Sequence, residues 1–266
     1  MQKYIISSLI LFFLLTSCED VIRLNLDESD TKLVIEARLD ATDKFIAVAV
    51  SQSKSFYDTT DFQLILDAEV TLKIEEQPAI SLPLGDEDLY FLENLDITTG
   101  QLVEVQVTHK DQSYQANAIV PSPIAIQAVE QVSTFTEDDT TFYALDVFWQ
   151  DNPSEVNFYR LQSSTFSTLD DEEVSEYGTI SDADDQGELL LGGTVEGLPG
   201  DEIELTLEHL NQGAFLYFEQ LSIASEEGDL FTGGQSTPFN PQSNFSNDAL
   251  GYFSVFQKAE VTRVLE

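Results

Sequence analysis

The sequence predicts a mainly β protein: two tandem β-sandwich domains of the immunoglobulin or fibronectin kind, with one α-helix in the second. Three observations carry this expectation. Apolar and polar residues alternate in short runs. In Leu102–Thr108, Val103, Val105 and Val107 fall on one side while Glu104, Gln106 and Thr108 fall on the other, the mark of a strand with one face buried. Such runs return roughly every ten residues with turn residues between them, the spacing of a sandwich or barrel. The third observation is Pro121-Ser122-Pro123. Two prolines so close cannot sit in a central strand, so this triplet separates a first domain, 32–120, from a second, 124–266.

The chain opens with Lys3 and an uncharged run from Tyr4 to Leu15. That run is shorter than the ~20 apolar residues that span a bilayer, and it reads as a secretory signal over residues 1–17. Leu15-Thr16-Ser17-Cys18 resembles a bacterial lipobox. The resemblance implies cleavage before Cys18 and lipid on its sulfur, with the chain held to a membrane by that lipid. Each buried methylene adds ~0.8 kcal/mol of membrane affinity, so several acyl chains on one cysteine anchor firmly. Cys18 is the only cysteine, which leaves no thiol for a disulfide, a metal site or a nucleophile. Residues 18–31 read as a polar tether, either a linker or, through Val21-Ile22 and Leu24–Leu26, a first edge strand.

Strands are expected at Lys32–Leu39, Phe45–Ser53, Glu69–Glu75, Ala79–Leu84, Leu89–Leu92, Leu102–Thr108 and Ser113–Val120. His109-Lys110-Asp111-Gln112 forms the hairpin turn between the last two. After the proline break come Ile124–Phe135, Thr141–Gln150 and Val156–Thr165, then a polar insertion from Asp170 to Gly187, of a length that reads as either a functional or a disordered loop. Leu189–Leu191 follows, with Gly192-Gly193 read as a turn, and then Glu202–His209, with Ile203, Leu205 and Leu207 inward and Glu204, Thr206 and Glu208 outward. The helix is expected over 211–225, because Ala214, Tyr217, Phe218, Leu221 and Ala224 recur at three and four. Asn211 is its expected cap. Residues 229–249 read as a long loop and Leu250–Leu265 as the last strand.

Hydrophobic residues make up 42% of the chain, enough for a packed core rather than a disordered tail. Eleven Lys and Arg stand against 49 Asp and Glu, a net charge of −38. Removal of the signal takes Lys3 and no acid, leaving 10 against 49, or −39. Such a surface excludes nucleic acid and anionic head groups as partners, since both need basic residues.

The search for chemistry points away from an enzyme. There is no Gly-x-Ser-x-Gly, no His-Glu-x-x-His and no phosphate loop ending in Gly-Lys. His109 and His209 sit at strand ends and read as surface histidines. One metal candidate remains: Asp182, Asp184 and Gln186, followed by Gly187, place oxygens at positions one, three and five with glycine at six. That is the front half of a calcium loop, but Gly193 stands where the glutamate at position twelve belongs. A solvated acidic loop is the alternative.

Near the C-terminus the chain reads Pro238-Phe239-Asn240-Pro241-Gln242-Ser243-Asn244-Phe245-Ser246-Asn247, then Leu250-Gly251-Tyr252-Phe253. Together with the lipobox, Val21–Leu26 and Lys32-Leu33-Val34-Ile35-Glu36, this resembles a family of outer-membrane lipoproteins from the Bacteroidota, the domain of unknown function 4249. The chain has Asp248-Ala249-Leu250 where that family often has glycines. The resemblance implies an accessory of TonB-dependent receptors, the gates for large nutrients, and carries over no catalytic residue. It makes Glu19-Asp20 a signal for the outer face of the outer membrane; in other bacteria an aspartate near this position means retention in the inner membrane. Phe239, Asn240, Asn244 and Tyr252 become candidate contact residues, and Gly251 a backbone position with no room for a side chain. The expected function is therefore a non-enzymatic binding partner of such a receptor, with no cofactor. Calcium-dependent adhesion, a carbohydrate- or protein-binding module, and more distantly a hydrolase, are the alternatives.

Overall fold

A computed structural model describes residues 30–55, 58, 60–137, 140–151, 156–166, 173–181, 189–225 and 239–265. Cys18, the signal and the Asp182, Asp184 and Gln186 loop lie outside the described residues.

The fold is mainly β. Its strands are β1 (Leu33–Asp40), β2 (Phe45–Gln52), β3 (Glu69–Ile74), β4 (Ile80–Ser81), β5 (Tyr90–Leu92), β6 (Leu102–His109) and β7 (Gln112–Ile119) in the first half. The second half contains β8 (Ile126–Glu137), β9 (Thr140–Gln150), β10 (Phe158–Phe166), β11 (Glu173–Ser181), β12 (Leu189–Gly197), β13 (Glu202–Leu210), helix α1 (Gln212–Ser225) and β14 (Leu250–Val264). They form three sheets: β11-β10-β13-β14-β1-β2-β5, β12-β9-β8 and β4-β3-β6-β7.

The seven-stranded sheet draws on both halves of the sequence. β14 pairs antiparallel with β13 on one side and parallel with β1 on the other, from Val34 opposite Leu250 to Asp40 opposite Phe256. The two smaller sheets cover separate stretches of the same face. Ile35, Leu39, Val48 and Phe253 meet Val70, Leu72, Val103 and Val105 in one core. Tyr159, Leu161, Ile203 and Leu205 meet Val147 and Trp149 in another. On the opposite face, α1 sets Ala214, Phe215 and Phe218 against Leu210, Tyr252 and Phe256. The break at Pro121 thus falls between two cores but not between two sheets. The tandem reading gave all of 124–266 to the second domain, yet Phe245, Ala249, Phe253 and Val255 complete the first core.

Local differences from the sequence reading have simple causes. Lys110 and Asp111 both have positive φ, so the β6–β7 hairpin closes with the tight turn whose twist matches its strands. The polar insertion is not a single loop: Glu173–Ser181 is β11, paired along its length with β10. An edge strand exposed on one side needs few apolar residues, which hides it from a hydrophobic pattern. Gly192-Gly193 is not a turn, because β12 runs through it with a register shift between Leu191 and Thr194, and glycine fits such a bulge. The expected strand at Ala79–Leu84 shrinks to two residues, bounded by Pro78 and Pro83, which lack the N–H that a ladder uses.

Gly251 is where β14 approaches β1. Its φ is +92°, and a Cβ there would lie 2.0 Å from the carbonyl oxygen of Ile35. Tyr252 and Phe253 follow and enter opposite cores. Gly251→Ala meets both a forbidden backbone and a collision with main chain. It is expected to lower unfolding free energy by roughly 3 kcal/mol or more, read as a fall in urea midpoint.

Candidate functional site

The described residues enclose a cleft of about 420 Å³ where the two cores meet. One wall is the end of β7 with the linker, Asn117 to Ser122; the other is Val156–Phe158 and the residues joining β13 to α1, His209 to Gly213. Among its described lining residues there is no Asp, Glu, Lys or Arg, although the chain has 49 carboxylates. Its polar groups are amides, hydroxyls and an imidazole. Leu102, Ile119 and Val156 stand exposed at 50%, 60% and 46%. Leu102 and Ile119 are cross-strand partners, so their side chains leave the same face of the sheet.

The walls are held from behind. Asp151 is buried and accepts hydrogen bonds from Tyr159 Oη at 2.7 Å and Asn157 Nδ2 at 2.9 Å. His209 lies 2.8 Å through Nδ1 from the carbonyl oxygen of Ser122 and tilts against the Tyr159 ring. The sequence reading made His209 a surface residue, but it is buried. Strand ends are exposed in an isolated sandwich, and here the interdomain linker covers this one. His109 is likewise nearly buried, with Nδ1 3.4 Å from Asp67, and is remote from the cleft lining.

Two asparagines fasten the floor. Asn211 does not cap α1 with its side chain. Its Oδ1 accepts from Val255 N at 2.7 Å and its Nδ2 donates to Phe253 O at 3.3 Å. Asn244 accepts from Phe253 N at 2.8 Å and donates to Phe253 O at 2.9 Å. A Cβ on Gly213 would sit 2.7 Å from Asn244 Nδ2, so glycine lets the helix start touch this clamp. Of the four contact candidates, Asn244 is thus half-buried structure, and Tyr252 is buried against α1, 4.8 and 4.9 Å from the Tyr217 and Phe218 rings. Phe239 and Asn240 are exposed. None of the four lines the cleft.

A second polar cluster lies under α1. Glu208 sits between Arg38 (2.6 Å) and Arg160 (3.0 Å), with Arg38 over the Phe256 ring and Arg160 over Phe218. The alternating pattern sends Glu208 away from the core of Ile203, Leu205 and Leu207, but the face it joins is covered, so outward does not mean wet. Nearby, Lys258 contacts Asp43, Glu260 and Asp40 at 2.8, 3.0 and 3.5 Å. Burial alone would lower its pKa, but its hydrogen bonds to Asp43 and Glu260 and the charges of Asp40 and Glu260 raise it. Burial, then the charge of Glu36, pushes the Tyr217 phenol up to about 12, and burial raises Tyr252 as well. Among the described residues no three His, Cys, Asp or Glu side chains are grouped to hold a metal ion, and no helix is long and apolar enough to cross a membrane.

The family model described as domain of unknown function (DUF4249) matches residues 19–262. The chain belongs to this family. It matches no curated protein. Similar solved structures include two cytokine receptor complexes, crystal forms 1A and 2, at 12% and 13% identity. The matches cover 68% of this chain and 85% and 92% of theirs, each with a TM-score of 0.26, a likeness on which nothing rests. Asn244 and Gly251 within the matched residues are the clamp and the close approach that seat β14.

Two expectations follow. Glu208→Gln leaves two arginines short of a counter-charge beneath the helix and should cost roughly 3 kcal/mol, measured by denaturant unfolding. Tyr217, Tyr252 and Lys258 all have folded pKa values raised above their ordinary ones. Their stabilisation is therefore complete below about pH 10 and lost as pH rises through the folded values. Urea midpoints should fall between pH 10 and 12, and Tyr217→Phe should remove one phenol titrating near 12 from the ultraviolet titration.

Proposed function

We propose that the chain is a lipid-anchored, non-enzymatic binding protein of the outer membrane. In this reading Cys18 carries the lipid, the chain faces the cell surface, and the cleft docks a TonB-dependent receptor during nutrient uptake. The observation that carries it is a cleft whose described lining has no Asp, Glu, Lys or Arg, on an otherwise strongly acidic chain. Protein interfaces are depleted of charge at their centre and apolar there, with polar groups around them, and the exposed Leu102, Ile119 and Val156 fit that pattern. A wall built from the ends of two cores also gives a rigid surface, which lowers the ordering cost of binding. The anchor, the receptor class and the surface location rest on the lipobox, Glu19-Asp20 and the family resemblance.

The test is a mild-detergent pull-down from native membranes, with a tag joined by a linker after Glu266. The receptor should be recovered in stoichiometric amount with the wild type. It should be lost with Val156→Trp, which fills the cleft from an exposed position and should leave the melting temperature unchanged. Recovery of the chain alone, or of the receptor equally with both proteins, would sink the reading.

A further inference from the structure

The β7 edge is covered along one stretch and open along the next. Val120 exchanges hydrogen bonds with the start of the hairpin, donating to Gln101 O at 2.9 Å and accepting from Gly100 N at 2.8 Å. Inward bonding alternates along an antiparallel strand, so Ala118, Ala116 and Tyr114 turn their backbone groups to β6 while Ile119, Asn117, Gln115 and Ser113 turn theirs away. The C-terminal loop takes the far end. Ser246 N donates to Gln115 O and Ser246 Oγ accepts from Gln115 N, both at 2.9 Å, and Asn247 Nδ2 donates to Ser113 O at 2.6 Å. Among the described residues nothing bonds the backbone N–H and C=O of Asn117 or Ile119. Both residues line the cleft.

We infer that the cleft takes an extended, basic segment of a partner protein, which adds to β7 as a short strand at Asn117 and Ile119. This rests on the cleft being the docking site. Ser246 shows that this edge already accepts a backbone partner, and an entering segment would continue the same row. Main-chain hydrogen bonds supply affinity in such additions and side-chain pockets supply selectivity. Apolar side chains of the segment would meet Ile119 and Leu102 on one face, and Val156 and Phe158 form the opposite wall. The described lining of the cleft has no Asp, Glu, Lys or Arg, so charge selection comes from the field of a −38 chain, which attracts Lys and Arg and repels a second copy of itself.

The probe is a fluorescent hexapeptide of alternating valine and lysine, with a counterpart N-methylated at alternate residues, titrated by anisotropy against the full chain in detergent. Ile119→Pro removes an outward N–H that the β6–β7 ladder does not use, and proline is tolerated on an edge; Ile119→Val keeps that N–H. The plain peptide should bind saturably. Both N-methylation and Ile119→Pro should weaken it roughly tenfold or more, Ile119→Val should not, and binding should slow hydrogen exchange at Asn117 and Ile119. Absence of saturable binding, or equal binding of the two peptides, overturns the inference even if Ile119→Pro unfolds. Concentration-dependent self-association that Ile119→Pro abolishes would reassign the edge to a second copy and overturn the basic partner. If receptor recovery is lost with Val156→Trp but kept with Ile119→Pro, the docking cleft stands and strand addition fails. If both variants keep the receptor, both proposals fall.

Discussion

Strand β14 is bonded along both edges, antiparallel to β13 and parallel to β1, and the rest of the molecule is arranged around that double pairing. Without it the long sheet would divide into β11-β10-β13 and β1-β2-β5. The parallel side requires unusually close backbones, which Gly251 permits by having no Cβ. The antiparallel side begins at Phe256 opposite Leu210, beside Asn211, whose side chain bonds the β14 backbone. Asn244 grips the same strand from the loop before it. A glycine and two asparagines, the outermost 40 positions apart in sequence (211 and 251), therefore act on one strand, and the cleft exists because that strand holds its two walls in one frame.

Much of the β content was legible because buried residues alternate with less buried ones over most of β1, β6 and β7 and over the first half of β13, whose last four residues are all buried. The helix showed itself by its three-and-four spacing. What alternation cannot report is which sheet a strand joins. Leu250–Val264 reads as a strand in either domain, and the parallel partner that decides its place is the first strand of the other one. Nor does it report a polar edge strand such as β11, which is placed by its pairing with β10 and by Ile180 against the second core. The cleft was invisible for a related reason. Its walls are Asn117, Ser122, Asn157 and His209, ordinary residues at strand ends and in a linker, brought together only when two cores share a sheet. The candidate contact residues were drawn from the family's motifs, and two of them, Asn244 and Tyr252, turn out to hold the fold.

The charge distribution has a similar lesson. A chain at −38 repels itself, which opposes compaction and favours solubility. Three of its few cations, Arg38, Arg160 and Lys258, lie on the sheet face that carries α1. There Arg38 and Arg160 meet Glu208 beside the Phe256 and Phe218 rings, while Lys258 reaches buried Asp40 and the exposed Asp43 and Glu260. Attraction is screened least in such places, although desolvation offsets much of it. The cluster therefore contributes less to raw stability than to fixing the order of strands, since Arg38, Glu208 and Arg160 come from β1, β13 and β10.

The pairing of β1 with β14 joins residues 34 and 250, which are 216 positions apart. In a chain made from its N-terminus, β1 and β2 can form a hairpin early, but the outer edge of β1 waits for nearly the last segment to arrive. Contacts of such long sequence separation slow folding, and an unpaired strand edge is a template for wrong partners during the wait. A chain of this topology depends on β14 reaching the open edge of β1 before a strand of another molecule does.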